Sequence, residues 1–157
     1  MPKATDSNNP GDWVFMAESD LKGIRILATR KVSFNLCQSK LAEVLEKLLK
    51  AELIRLGWFL EKTHDLHKLA GELRARSSEL ADDAEELAEA LAETYFAGRY
   101  PGFDLEEPDW PTLKGQVSQV VRLCRRVKQR CAKREPSRVA KRSRRRRPSR
   151  PTRPTRS

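Results

Sequence analysis

Cysteine is scarce in this chain, with three in 157 residues and no Cys-x-x-Cys pair. That leaves no basis for a disulfide framework or a Cys-built zinc module, and reads as buried thiols in a reducing cytosol. Long apolar runs are also missing. None reaches the roughly 18 residues that a membrane span requires. The first residues, MPKATDSNNPGDW, contain no apolar signal core, so no export signal is expected. Segments with the two-residue period of a strand are absent, and so are internal repeats, which excludes sheet and solenoid architectures. Acid is wholly absent after Glu135.

Charge is instead abundant and unevenly placed. The formal net charge is +10. Residues 136–157 hold ten Lys and Arg and no acid, whereas residues 1–135 hold 22 bases and 22 acids. The whole excess therefore lies in the tail. The rest of the chain is bipolar. Glu79 to Asp109 carries eleven acids against Arg99 alone, and Arg122 to Arg134 carries seven bases and no acid. Such segregation suits a charge-complementary partner.

What is present is helical periodicity. Leu41, Val44, Leu45, Leu48, Leu49, Leu53 and Leu56 recur at three- and four-residue steps, which predicts a central helix over about 34–56, started by Ser33 and ended by Gly57. A first helix is expected over about 12–31, with Asn9 or Asp12 as cap. A short third helix follows over about 64–75 behind Thr63 as cap. The fourth starts at Ser77 or Ser78 and runs to about Ala97. Gly98 to Pro111 reads as a structured loop. Asp109 caps a last helix over about 111–134, with Leu113, Val117, Val120, Val121, Cys124, Val127 and Cys131 inward. The fold class is all-α, an antiparallel up-and-down bundle of four to five helices over residues 12–134. Residues 1–11 form a disordered lead. Residues 135–157, with four prolines and the block Arg144 to Arg147, form a disordered Arg-rich tail.

Several pieces in order carry a resemblance. They are Ala17-Glu18-Ser19-Asp20-Leu21, then Glu46-Lys47-Leu48-Leu49-Lys50-Ala51, then Lys62-Thr63-His64-Asp65-Leu66, and finally Tyr95 with Arg99-Tyr100-Pro101. Together, over roughly residues 13–129, they resemble the HEPN domain (higher eukaryotes and prokaryotes nucleotide-binding), of the small stand-alone prokaryotic type. The resemblance implies the same helical bundle, often as a homodimer. It also implies a nucleotide- or RNA-associated role, commonly beside a minimal nucleotidyltransferase in toxin–antitoxin-like modules. Many ribonucleases of the family carry an Arg a few residues ahead of a His. Here Arg55 stands nine residues before His64, and His67 has no Arg at a suitable distance, so that signature is absent.

The candidate site follows from these residues. His64 and Asp65 fall at a helix start, where backbone N–H groups and the dipole favour phosphate. His64 is the one candidate catalytic residue, as a proton carrier in phosphodiester cleavage. The alternative is a plain cap, with His64 hydrogen-bonded across the bundle. Lys47 and Lys50 either bind phosphate or pair with the acidic fourth helix. Arg99 offers a phosphate fork and Tyr100 a stacking face; otherwise they close the fourth helix and cover the core. His64 and His67 lack a third ligand, so no metal and no cofactor is expected. Arg142, Arg144, Arg145, Arg146 and Arg147 make the tail an arm for RNA or DNA. If it neutralises about 6–10 phosphates, affinity falls about 10³–10⁵-fold between about 50 and 200 mM salt. The leading expectation is a cytoplasmic binding module, with no membrane contact. A ribonuclease with a non-standard His64/Arg99 site is the alternative.

Overall fold

The computed structural model describes residues 7–94 and 107–133. The expectations for the far N-terminus, Arg99, Tyr100 and the Arg-rich tail fall outside these residues.

Helix α1 spans Pro10–Arg30. Asn9 is its cap, accepting the Gly11 N–H through its side chain at 3.0 Å. Pro10, with its fixed φ, begins the first turn, earlier than the expected start. Helix α2 spans Phe34–Arg55. Ser33 does precede it, but makes no side-chain cap. The three-residue turn from α1 holds Ser33 at φ 56°, left-handed and not the extended geometry a capping hydroxyl requires. Gly57 ends α2 as expected, at φ 87°. Its N–H donates to the Ile54 carbonyl at 3.0 Å, and the Trp58 N–H donates to Leu53 at 2.9 Å. This is a Schellman ending, with Trp58 and Leu53 both buried behind it.

Helix α3 spans Leu66–Ala75. Its cap is Asp65 and not Thr63. Thr63 Oγ1 accepts the Asp65 N–H at 3.2 Å, and Asp65 in turn accepts the Lys68 N–H at 3.1 Å. The threonine shapes the turn that delivers the aspartate. Helix α4 spans Ala81–Leu91, starting later and ending earlier than its periodicity suggests. Ser78 shapes the approach by accepting the Leu80 N–H at 3.2 Å. At the other end, the Thr94 hydroxyl donates to the Leu91 carbonyl at 2.8 Å. Helix α5 spans Trp110–Ala132, with Asp109 as cap. Asp109 accepts the Thr112 N–H at 3.1 Å and the Thr112 hydroxyl at 2.7 Å. Those two bonds, hydroxyl first, hold its carboxyl below the usual aspartate range despite some desolvation.

All five described helices form one bundle, and no strand occurs among the described residues. Helix α2 packs against each of the other four. Its Leu41, Leu45, Leu48, Leu49 and Leu53 are among the most deeply buried side chains. Lys47 of α2 reaches Asp20 of α1, and the turn between these helices is short, so the two are antiparallel. Helix α5 also runs antiparallel to α1. Its late Lys128 meets the early Glu18 at 2.8 Å, while Trp110 at its start stacks edge-on against Phe34 at 5.1 Å. Helices α3 and α4 form a hairpin joined by Arg74 to Asp82 and Glu85. Val121 and Cys131, expected inside, are only partly buried.

The opposed charges of α4 and α5 meet within the fold. Arg126 pairs with Asp83, and Arg130 with Glu79 at 3.1 Å. Two pairs between the acidic and basic blocks are thus made within the fold. Among the described residues one carboxylate is fully buried: Glu52, on α2, at 0% exposure. Arg55 grips it with two bonds of 2.9 and 2.8 Å, Arg130 of α5 adds one of 2.9 Å, and the Ser78 hydroxyl donates at 3.2 Å. Burial pushes this carboxyl up, but the hydrogen bonds and charges of Arg55 and Arg130 outweigh it and hold it below its ordinary value. No buried side-chain polar atom lacks a partner among the described residues.

Candidate functional site

The site begins with charged residues on an apolar helix face. Glu46 and Lys50 are one turn apart on α2, beside Leu45, Leu48 and Leu49. Both are buried, Glu46 at 7% and Lys50 at 3% exposure. Their charged atoms lie 3.6 Å apart. Lys50 Nζ also stands 5.4 Å above the Trp13 ring of α1, a cation–π contact in a desolvated setting. Trp13 is itself fixed, since its indole N–H donates to the Ser7 carbonyl at 2.7 Å. A buried charge survives only with such partners.

His64 reaches this cluster from the loop before α3. Its Nδ1 lies 2.6 Å from Glu46 Oε1. With Nδ1–H donated to the carboxylate, the neutral ring carries its lone pair on Nε2. The imidazole is mostly solvent-facing, so the pair joins a buried carboxylate to the surface. An open cleft of about 510 Å³ lies here, lined by Lys62, Thr63, His64, Asp65, His67 and Ala92 among others. It opens at the N-terminal end of α3, where the dipole is positive.

The structure brings together Lys50 and His64 through Glu46, and sets Asp65 beside them as the α3 cap. Lys47 points elsewhere. Its Nζ binds Asp20 at 2.6 Å, fastening α2 to α1. Neither lysine pairs with α4, as one expectation had it. Each meets an acid on α1 or within α2, because α2 turns this face toward α1. Sequence reasoning missed Glu46, although it stood in the motif. The available signal was an acid and a lysine four apart beside a leucine stripe, the spacing at which the two meet on one helix face. His67 comes within 3.9 Å of Glu89 and not of His64's partners. Among the described residues no group of three or more His, Cys, Asp or Glu is arranged to hold a metal. The three thiols are free, and burial pushes all three up, that of Cys124 to about 11.

A five-helix antiparallel bundle with a carboxylate–imidazole–ammonium cluster at one end defines the class of the protein: a small α-helical domain with a polar site set between its first three helices. The HEPN domain model matches residues 11–134, and the chain belongs to that family. Neither the curated proteins nor the solved structures compared with it match the chain. Asp20, Glu46, Lys47, Lys50, His64 and Asp65 all lie within the matched span. In three dimensions Asp20 pairs with Lys47, Glu46 separately contacts both Lys50 and His64, and Asp65 caps α3. No described helix is long and apolar enough to cross a membrane.

Proposed function

We propose that this HEPN-domain protein is a nucleotide- or RNA-associated binding module whose ligand sits in the cleft beside His64. The observation that carries this reading is the His64–Glu46 contact at 2.6 Å, with Lys50 buried behind it. A buried carboxylate holds the imidazole in one orientation on the rim of a cleft at a helix start. Backbone N–H groups and the α3 dipole favour a phosphate there, and a protonated His64 would add a charge-assisted bond. Asp65 helps set the helix start but adds negative charge, which favours a ligand bound through its sugar or base as well as its phosphate.

The family implies a homodimer and a minimal nucleotidyltransferase partner in a toxin–antitoxin-like system. Exposed Val32 and Leu36, beside a cleft of about 220 Å³ between α1 and α2, supply apolar surface for such a contact. Free thiols fit a reducing, cytoplasmic setting.

One observation favours a second reading, a ribonuclease. The Glu46–His64 pair is the arrangement of a general base held by a carboxylate. The deciding experiment incubates full-length protein with mixed RNA under conditions where binding is measured, in parallel with His64→Ala and Glu46→Gln. The binding reading expects intact RNA in every lane and weaker nucleotide binding by both variants. RNA cleavage by the parent protein that vanishes in both variants would establish the enzyme. Nucleotide affinity unchanged in both variants would remove His64 from the site.

A further inference from the structure

The positive surface of the folded bundle lies where the sequence did not direct attention. Every Lys and Arg on α2 and α3 has a carboxylate within ion-pair distance. On α5, Arg126, Lys128 and Arg130 are likewise neutralised, and Arg122, which forms no ion pair among the described residues, lies beside the acids Asp83 and Glu86 of α4. Helix α1 differs. Its Lys22, Arg25 and Arg30 are exposed and form no ion pair among the described residues, and the same holds for Lys31 just beyond it. Residues 21–33 contain no acid, and neither do residues 110–134.

Helix geometry sets two of these cations, Lys22 and Arg25, along one flank. The Glu18–Lys128 contact marks the side of α1 that faces α5. Lys22, Arg25 and Thr29 follow Glu18 at steps of four, seven and eleven residues, hence on that same side. Thr29 folds back, donating to the Arg25 carbonyl at 2.8 Å. Across the antiparallel seam, Lys114 and Arg125 lie eleven residues apart on the α1 side of α5, with Arg125 three before Lys128. Both are exposed, and neither pairs with an acid among the described residues. A shallow surface depression of about 600 Å³ along Lys22, Arg25, Ile26, Thr29 and Arg30 opens on this flank. Phe15, two turns before Lys22, is 71% exposed.

We propose that the α1–α5 seam is a binding track for single-stranded nucleic acid. Lys22, Arg25, Lys114 and Arg125 contact phosphates, Arg30 and Lys31 extend the track, and Phe15 stacks a base. Exposed cations without intramolecular acids have only counterions to release, which is the source of affinity for a phosphate backbone. A protruding phenyl ring beside them supplies the sequence-tolerant stacking that the tail, without aromatics, cannot offer. The ten cations of residues 136–157 add to the positive charge of the same chain. This track is separate from the His64 cleft, and either can fail without the other.

The test is fluorescence anisotropy of the full chain with a labelled oligouridine of about 16 nucleotides, over a salt series. The variant Lys22→Gln/Arg25→Gln/Arg125→Gln is expected to lose at least about tenfold in affinity, and its log–log salt slope to fall by about 2. A charge-matched variant on α2 and α3, Lys40→Gln/Lys68→Gln/Arg74→Gln, keeps near-parental binding. Equal losses in the two variants would mean that net charge and tail alone bind, and would overturn the track. So would an unchanged slope in the first variant, or no oligouridine binding by the parent. Phe15→Ala is expected to weaken binding about tenfold at an unchanged slope; unchanged affinity would overturn the stacking contact.

Discussion

Glu52 shows what one residue can decide. It stands in a leucine-rich helix where burial should expel a charge, yet two arginines and a serine satisfy it completely. Removing it leaves the buried Ser78 hydroxyl without that acceptor and half-buried Arg55 without its ion pair, while Arg130 keeps only Glu79. Glu52→Ala is therefore expected to destabilise the fold by about 3 kcal/mol in urea unfolding. The pH dependence has a definite sign. In the unfolded chain this carboxyl titrates near 4.5, and in the folded chain it titrates lower. Below 4.5 the unfolded state binds more protons, so the contribution is complete above that pH and is lost as pH falls through the folded value. Glu52→Gln should flatten that part of the stability curve below pH 4.5, checked by thermal melts across acid pH. At the candidate site, neither the Glu46–His64 contact nor the Lys50–Trp13 contact could be read from spacing. The residues of each pair lie far apart in the chain, and only packing of α1 and the pre-α3 loop onto α2 joins them.

At the scale of helices, the ends carry most of the surprises. Three of them close in the same way. The N–H groups of Lys31 and Val32 bond back to Ala28 and Leu27, and those of Ser77 and Ser78 to Arg74 and Leu73, just as at Gly57. Each needs a left-handed residue, and only one is glycine. Lys31 and Ser77 take φ 54° and 53° with a Cβ in place. Lys31→Gly and Ser77→Gly should each stabilise the fold by up to about 1 kcal/mol, through relief of that strain less the entropy glycine adds to the unfolded chain. Gly57→Ala should cost about 1 kcal/mol. No atom lies within 4 Å of the added methyl, so the cost is purely backbone. Chemical denaturation of the three variants checks both signs. Asp65→Ala should cost about 1 kcal/mol by removing the α3 cap, whereas Thr63→Ala removes only the turn bond before it. The Gly57 and Asp109 ends were legible because glycine and aspartate announce their geometry. Lys31, Ser33 and Ser77 do not, since short interhelical turns impose conformations that these side chains do not prefer.

For the whole molecule, the bundle is built outward from α2, so substitutions should rank by what they touch. Leu48→Ala, at the fully buried centre, should cost about 2–5 kcal/mol. Phe59→Ala, at 92% exposure, should stay within about 0.5 kcal/mol. Comparing the two melting curves tests whether α2 is the centre of one cooperative unit. Charge reads differently at this scale. Segregated blocks in the chain become neighbours in space, where Arg126 and Arg130 of α5 pair with Asp83 of α4 and with Glu79 just before it. Exposed cations that pair with no acid among the described residues then include Lys22, Arg25 and Arg30 on α1 and Lys114, Arg122 and Arg125 on α5.

The sequence by itself determined the helical class, the central helix, the ends at Gly57 and Asp109, and the HEPN resemblance. Periodicity, glycine and aspartate are local properties, fixed by backbone sterics and by which face must leave water. Tertiary structure alone decided that Glu46 holds His64, that Lys47 fastens to Asp20, that Glu52 is buried with two arginines, and which cations remain exposed. Apart from Arg55, one turn from Glu52, the partners in those pairings are distant in the chain. Their partners are chosen by how the helices cross, because a buried charge persists only where the packed fold supplies an opposite one.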